Sequence, residues 1–477
     1  MLILPILLPA LAGGLYAVLG WTRVTAWLGS LAAAGVLASA VALARLGSGG
    51  ALWGLLRVDA LSAFMLIVIG AVALLAMLAS PAYLAAELAA GHTGHPALRR
   101  YGVLTQAFVA AMALAVLAAN LGIMWVAIEA TTILTAFLVG FRRTKSATEA
   151  AWKYVVICSV GIALAFLGIV LVNYAGVHSA VGLDWAALAR QAADLDPGVM
   201  RIAAVLVVLG FGTKAGLAPM HAWLPDAHSQ APAPVSALMS GVLLSVAFYA
   251  ILRVKVIADA VLGVTSMRVL LVAAALASLA VAAVLLLGQR DYKRLLAYSS
   301  IEHMGLVALG AAVGSRLALV AVLLHVLGHG LGKSVLFLSS GHLHQATGSS
   351  RIASVKGLAT RAPLLAGVFA LGLLALLGMP PFSLFASEVG IVRSAFAAGL
   401  GWAVTIALVL MLVIVGAIGR HSRTMLLGPP GSPQLSVPRT NSAVLVAGLA
   451  ACAVLGVTLG PLGDLLQAAA DIAGATP

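Results

Sequence analysis

Phe211-Gly-Thr-Lys-Ala-Gly-Leu-Ala-Pro219-Met-His-Ala-Trp-Leu-Pro225-Asp-Ala-His-Ser-Gln-Ala-Pro232-Ala-Pro234 decides how the whole chain is read. An apolar run, Ile202 to Leu209, leads into it with the character of a membrane helix. The next 24 residues bring Lys214, His221, Asp226, His228 and four prolines. A charged side chain at mid-bilayer costs about 2.5–3.5 kcal/mol on insertion scales. Each proline removes a backbone donor and leaves a carbonyl to be satisfied elsewhere. Such a segment persists only where protein or a wet cavity surrounds it. A broken helix with an ionisable residue beside the break points to an ion pathway.

The 477 residues are 63% hydrophobic and 9% charged, against about 25% charged in a soluble domain. With a mean hydropathy of +1.13, the chain is a membrane protein throughout. A net charge of +13 would suggest nucleic acid in a soluble chain. Here the cations sit in short loops between apolar runs, which argues against a nucleic-acid partner. Cys158 and Cys452 stand alone in apolar segments, so no paired spacing exists for zinc, an iron–sulfur cluster or a disulfide. No phosphate-cradling glycine loop follows a strand. The sequence thus carries no redox centre, cofactor site or nucleotide site of its own. Met1 to Leu19 lacks a basic leader and is interrupted by Pro5 and Pro9, which reads as a retained first helix.

Apolar spans of about 20 residues predict an all-α polytopic membrane protein of about fourteen transmembrane helices, the seventh and twelfth broken by proline. The expected division is helices 1–3 over residues 1–98, a five-helix repeat over 99–256, a second repeat over 257–422, and a loop with helix 14 over 423–477. The repeat rests on spacing. Glu129 precedes Lys214 by 85 residues, and Glu302 and His303 precede Glu388 by 86 and 85. A proline break accompanies each second partner, and units offset by an odd number of helices are inverted. Loops after odd-numbered spans hold sixteen Lys and Arg and the other loops eight, so both termini are expected outside the cytoplasm. Gly176 to Val199 is expected to hold a short amphipathic helix, Gly428 to Pro438 a loop, and the tail after Leu459 to be short and acidic.

Glu129, in Trp125-Val-Ala-Ile-Glu129-Ala-Thr-Thr-Ile, has no basic residue within ten positions. A distant group must pair with it or keep it protonated; it is either a proton-carrying carboxylate or a buried acid held for helix packing. For Lys214, burial favours the neutral amine and a nearby carboxylate the ammonium, so a charge change on that carboxylate would switch it. A static ion pair with Glu129 is the alternative. His325, His329 and Lys333, spaced i, i+4 and i+8, share one helix face and suggest a hydrated proton path. A metal reading of the two histidines lacks an accompanying carboxylate motif. Glu388, after the second break, is the far-end counterpart of Lys214; an ion pair with Arg393 is its structural alternative. Glu302 and His303 link the halves or form an entrance, and His221, Asp226 and His228 lie toward a cytoplasmic mouth. Asp291, Lys293 and Arg294 read as a solvated cytoplasmic loop, with Asp291 and Lys293 also candidates for the entrance. Glu149 and Lys153 form an i, i+4 pair. His342 and His344, near a helix end, are expected to be solvated.

Lys214 through Leu238, Asp291-Tyr-Lys-Arg-Leu-Leu-Ala-Tyr-Ser-Ser300, His325-x3-His329-x3-Lys333 and Pro380-Pro381…Glu388 together resemble the antiporter-like membrane subunits. That family spans respiratory complex I, Mrp-type sodium/proton antiporters and energy-converting hydrogenases, and the likeness covers roughly residues 60–420. Asp226 to Leu238 and Ser299-Ser-Ile-Glu-His-Met-Gly305 look most like the F subunit of hydrogenase 4-type complexes. The resemblance implies fourteen helices with inverted repeats and a membrane-plane row of Glu, Lys and His. It implies that Glu129 and Lys214 act as a coupled pair and that the His/Lys stripe leads to Glu388 as terminal carrier. It also implies a redox-inactive subunit of an oxidoreductase complex in the bacterial cytoplasmic membrane. Its partners would be other antiporter-like and small membrane subunits, with a soluble hydrogenase or dehydrogenase arm reached through the complex. An Mrp-type antiporter subunit and an inorganic-carbon uptake subunit are the alternatives. Two departures stand out. Ser245 occupies the helix-8 position where many relatives carry lysine or histidine, so water or another residue must bridge Lys214 to helix 11. The chain also ends 18 residues after Leu459, without the long lateral helix of one complex I subunit.

Overall fold

A computed structural model describes residues 1–177, 182–429 and 439–476. Most of the loop expected at Gly428 to Pro438 lies outside them. The helices are α1 (Leu4–Leu19), α2 (Leu28–Leu46), α3 (Ala60–Ala89), α4 (His95–Leu117), α5 (Leu121–Val139), α6 (Lys145–Ala175) and α7 (Trp185–Arg190). They continue as α8 (Pro197–Ala215), α9 (Trp223–Gln230), α10 (Ala233–Leu238), α11 (Leu244–Leu262), α12 (Val264–Leu287) and α13 (Tyr292–Val313). The last are α14 (Arg316–Thr347), α15 (Leu358–Arg361), α16 (Pro363–Leu376), α17 (Ser383–Ala397), α18 (Gly401–Leu427), α19 (Arg439–Val457) and α20 (Leu462–Ile472). A π-helical turn, Met239–Leu243, joins α10 to α11, and a small hairpin pairs β1 (Gly49–Ala51) with β2 (Leu56–Val58).

Among the described residues, eleven helices are long and apolar enough to cross a membrane, or twelve if the bent pair Ser442–Val457 and Leu462–Ile472 is one span. The chain is therefore an all-α, multi-pass membrane protein. That count is lower than the fourteen expected because some pieces are short. α1 has 16 residues and α16 has 14, about 24 and 21 Å at 1.5 Å per residue, against a hydrocarbon core of about 30 Å.

Both proline breaks fall where expected, and both are built alike. α8 stops because Gly216 turns left-handed at φ +78°. The Leu217 N–H returns to the Gly212 carbonyl at 2.8 Å and the Gly216 N–H to the Thr213 carbonyl at 3.2 Å, the double bond of a Schellman cap. α16 stops at Gly378, φ +60°, with Met379 N–H to the Leu374 carbonyl at 3.0 Å and Gly378 N–H to the Ala375 carbonyl at 3.2 Å. In each, a proline three residues after the glycine, Pro219 or Pro381, has no N–H with which to resume the ladder. The Trp223 indole N–H also donates to the Thr213 carbonyl at 2.8 Å. The freed carbonyls are thus satisfied inside protein, as a bilayer requires.

Ion pairs close both ends of the bundle. At one end Arg142 grips buried Glu87 of α3 with bonds of 2.8–3.1 Å and meets His344 at 2.9 Å. His344 therefore belongs to a network rather than to solvent, and His342 is buried as well. At the other end Arg253 of α11 pairs with Asp59 at 2.8 Å, both buried, and lies 3.9 Å over the Trp185 ring. Asp59 also forms the capping box of α3 with Ser62. Asp184 takes both terminal nitrogens of Arg57, at 3.1 and 2.9 Å, and caps α7 through the Ala187 N–H. α7 is the short helix expected in the Gly176 to Val199 segment. Burial by itself would raise the Asp184 carboxyl. The hydrogen bonds from Arg57 and Ala187, with the Arg57 charge, outweigh it and hold the group below its ordinary range.

The tail after Leu459 folds as α20, bent by 76° from the helix before it. It buries Leu466, Ala469 and Ala470 against α3 and α14. α14 is the spine, touching α3, α10, α13, α16, α17, α19 and α20, and it is buried almost continuously from Ala318 to Leu343.

Asp59→Ala leaves the Arg253 guanidinium buried without its carboxylate and should lower stability by about 3–5 kcal/mol, read as a fall in denaturation midpoint in detergent. Asp184, with a depressed folded value, lends its stability above the ordinary carboxylate range of about pH 4 and loses it as pH falls through the folded value. Tryptophan emission should therefore report a transition below about pH 4 that Asp184→Asn lacks.

Candidate functional site

The last turn of α8 carries Lys214 into the core, where it is 1% exposed. Its Nζ donates to Thr132 Oγ1 at 2.8 Å and to the Tyr154 hydroxyl at 2.5 Å. Thr132 stands on α5 three residues after Glu129 and interacts with the Glu129 carboxyl as well. None of the ion pairs among the described residues joins Lys214 to a carboxylate. Glu129 Oε2 is buried without a hydrogen-bond partner. The static Glu129–Lys214 pair is therefore not formed, and a hydroxyl stands between the two groups.

α14 and α13 repeat that arrangement. Lys333 is fully buried and donates to the Leu296 carbonyl at 2.6 Å and to Ser299 Oγ at 2.5 Å. Ser299 precedes Glu302 by three residues on the same helix, and Glu302 Oε2 is likewise buried without a partner. Lys293 is a third case. Expected in a solvated loop, it is 2% exposed and donates to the Ser229 and Ala231 carbonyls at 3.2 and 3.0 Å. Those carbonyls end α9, where the helix dipole is negative and attracts a cation. Asp291 caps α13 through the Lys293 and Arg294 N–H groups at 2.8 and 2.9 Å. Arg294 does face outward, and meets Asp226 at 2.8 Å.

Asp226 also takes Lys153 at 3.3 Å, and Lys153 pairs with Glu149 at 2.6 Å as its i, i+4 spacing required. These four residues, with Ser229 and Gln230, line a surface cavity of about 190 Å³. His228 lies beneath that surface, not at a mouth. It is fully buried, both ring nitrogens lack partners, and it stacks on Phe337 of α14 at 4.8 Å. Lys333 and Lys293 are its charged neighbours. His221 is half-buried, with Nδ1 unpartnered.

His325, His329 and Lys333 lie along α14, and His303 of α13 joins them. Its Nδ1 is 3.1 Å from His325 Nε2, and its ring centroid is 5.0 Å from that of His329. His325 Nδ1 meets Ser387 Oγ of α17 at 2.9 Å. Glu388 is the next residue, with a carboxylate oxygen within 4.8 Å of nitrogens of both His303 and His325. Arg393 is exposed and is in no ion pair with Glu388. Ser245 is 2% exposed with its hydroxyl unpartnered, while Ser240 on the π-helical turn bonds Ser300 of α13 at 2.8 Å.

Thr132, Tyr154, Ser299 and Ser387 are the polar partners that sequence reading passed over. A hydroxyl three residues from Glu129 and from Glu302, on the same helix face, was the available signal for Thr132 and Ser299; Ser387 is adjacent to Glu388, and Tyr154 gave no signal. Thr132→Val removes a hydrogen bond from a buried ammonium and should lower stability by about 1.5–3 kcal/mol in detergent denaturation. Thr131→Val, whose hydroxyl is spent on its own helix at the Ile128 carbonyl, should change it less.

A family described as NADH:quinone oxidoreductase/Mrp antiporter, transmembrane, matches residues 118–414. The hydrogenase-4 component F homolog of Methylacidiphilum infernorum is 41% identical over 345 residues, 71% of this chain and 72% of that protein. A chain of the archaeal membrane-bound sulfane sulfur reductase superposes with a TM-score of 0.88 at 25% identity, covering 99% of this chain and 98% of that one. A chain of the Mrp complex from Dietzia sp. DQ12-45-1b gives 0.86 at 23% identity, covering 98% and 96%. The latter likeness is one of fold.

Proposed function

The chain belongs to the NADH:quinone oxidoreductase/Mrp antiporter transmembrane family, and from that premise we propose that it is a proton-translocating membrane subunit of a multisubunit redox complex of the hydrogenase 4 or complex I kind. One observation carries the reading. Lys214, Lys293 and Lys333 are buried on neutral oxygens rather than on carboxylates. A lysine locked to a carboxylate keeps its proton; one held by hydroxyls and carbonyls gains or loses it as distant charges change.

The proton axis runs from Glu129 and Lys214 through His228 to Lys333, then by His329, His303 and His325 to Glu388. His228 supplies the bridge that Ser245 does not, because it is buried beside Lys333. Asp226 and its cavity are the cytoplasmic entrance. Electron transfer elsewhere would perturb one end of the row. Two charges about 7 Å apart at an effective dielectric of 20 interact by roughly 2.4 kcal/mol, enough to change a proton-binding constant roughly fiftyfold. The matched caps at Gly216 and Gly378 support inverted repeats over residues 99–256 and 257–422. Other membrane subunits would flank the chain in a bacterial cytoplasmic membrane, and a soluble redox arm would drive it. The Lys and Arg bias supports both termini lying outside the cytoplasm. Sodium is disfavoured as the transported ion because the axis offers ammonium and imidazole groups instead of an oxygen cage.

In the reconstituted complex, Lys214→Ala or Glu129→Gln should slow proton translocation by roughly 100-fold, as loss of a positioned acid or base does. Pumping at the normal proton stoichiometry in both variants would sink the assignment.

A further inference from the structure

We propose that His303, His325 and Glu388 form a binding site for a divalent transition-metal cation of the zinc class. The hydrogen bonds around His325 set its tautomer. Ser387 spends its one hydroxyl hydrogen on the Leu384 carbonyl at 2.8 Å. Its oxygen can therefore only accept from His325, so the proton of His325 sits on Nδ1, across the 2.9 Å contact. His325 Nε2 is then a bare lone pair aimed at His303 Nδ1, 3.1 Å away. Zinc-bound imidazole is held in this way, with its far nitrogen donating to a fixed acceptor.

The spacing fits the ion. Two ligand nitrogens on a tetrahedral zinc, each at about 2.0 Å, lie roughly 3.3 Å apart. Glu388 supplies the third donor, and the three donor atoms lie within 4.8 Å of one another. The break in the helix holds that carboxylate in place. Gly378 turns at φ +60°, and a Cβ there would collide with Glu388 Oε2, so the carboxylate rests on a surface only glycine provides. His303 adds an independent sign. When its Nδ1 carries the proton that satisfies His325, its Nε2 is a buried acceptor that receives no hydrogen bond, and the neighbouring Leu376 carbonyl has no hydrogen to give it. A cation between the facing nitrogens moves that proton to Nε2 and removes the mismatch. Two imidazoles and one carboxylate select zinc, copper or nickel over magnesium and calcium, which take oxygen shells.

Binding stands on this geometry alone. Its consequence, a plug in the path between His329 and Glu388, rests on the proton-axis reading above. The test is titration of the purified complex with zinc chloride by calorimetry, and with cobalt chloride by its visible absorption. One site per chain is expected, weakened about 10–100-fold in Ser387→Ala, the effect of losing a supporting partner, and abolished in His325→Gln. His92→Gln with His95→Gln, both exposed, should leave it unchanged. Equal affinity in wild type, Ser387→Ala and Glu388→Gln would mean an adventitious ion only and overturn the site. Zinc bound there with undiminished proton translocation would leave the site standing and overturn the axis.

Discussion

The structure depends on holding ammonium groups in a low-dielectric interior without counter-ions. Lys214, Lys293 and Lys333 each sit on two oxygens that carry no formal charge. Burial strips a charged group of its hydration, so oxygens must be in place to receive it. Thr132 and Ser299 provide one each from the helices that carry Glu129 and Glu302. The carboxylates thus stay close enough to influence the lysines yet remain unlocked, with Oε2 of each unpartnered. At the two ends the opposite rule holds. Arg253 with Asp59 and Arg142 with Glu87 are direct, tight pairs, and arginine cannot release its proton. Paired charges close the bundle; lysines held on neutral oxygens run through its middle.

Two broken helices shape that middle. A continuous α16 would remove the left-handed turn against which Glu388 rests. A break exposes carbonyls, which hydrocarbon does not tolerate. Both breaks solve this with a Schellman cap, and Trp223 adds a donor at the first. At the second break the cap and the charge are one device: the glycine that ends α16 also forms the surface against which Glu388 stands.

In the proposed axis the bridge between the two halves is His228. A serine at position 245 cannot hold a charge at neutral pH, and its hydroxyl is unpartnered. The short helix α9 instead folds back beneath the surface and sets an imidazole against Phe337, near Lys333. α14 permits this because its stripe faces α13, α10 and the π-helical turn together.

Much of this was legible in the order of residues. Hydropathy alone establishes a multi-pass helical protein, and Lys214 beside its prolines marks the first break. The i, i+4, i+8 spacing puts His325, His329 and Lys333 on one face, because α-helical geometry leaves no other choice. Gly-x-x-Pro at Gly216 and Gly378 marks both caps. Other points waited on packing. Lys293 read as loop and is buried, because its partners are carbonyls of α9, about sixty residues earlier. His344 read as solvated and is bound to Arg142, 202 residues away. The Glu129–Lys214 pair, for which direct contact was the alternative reading, shares Thr132 instead. His303, His325, Ser387 and Glu388 come from three helices and meet only when these pack. Local periodicity fixes which residues share a helix face; only tertiary contact decides which oxygen or nitrogen meets each buried charge.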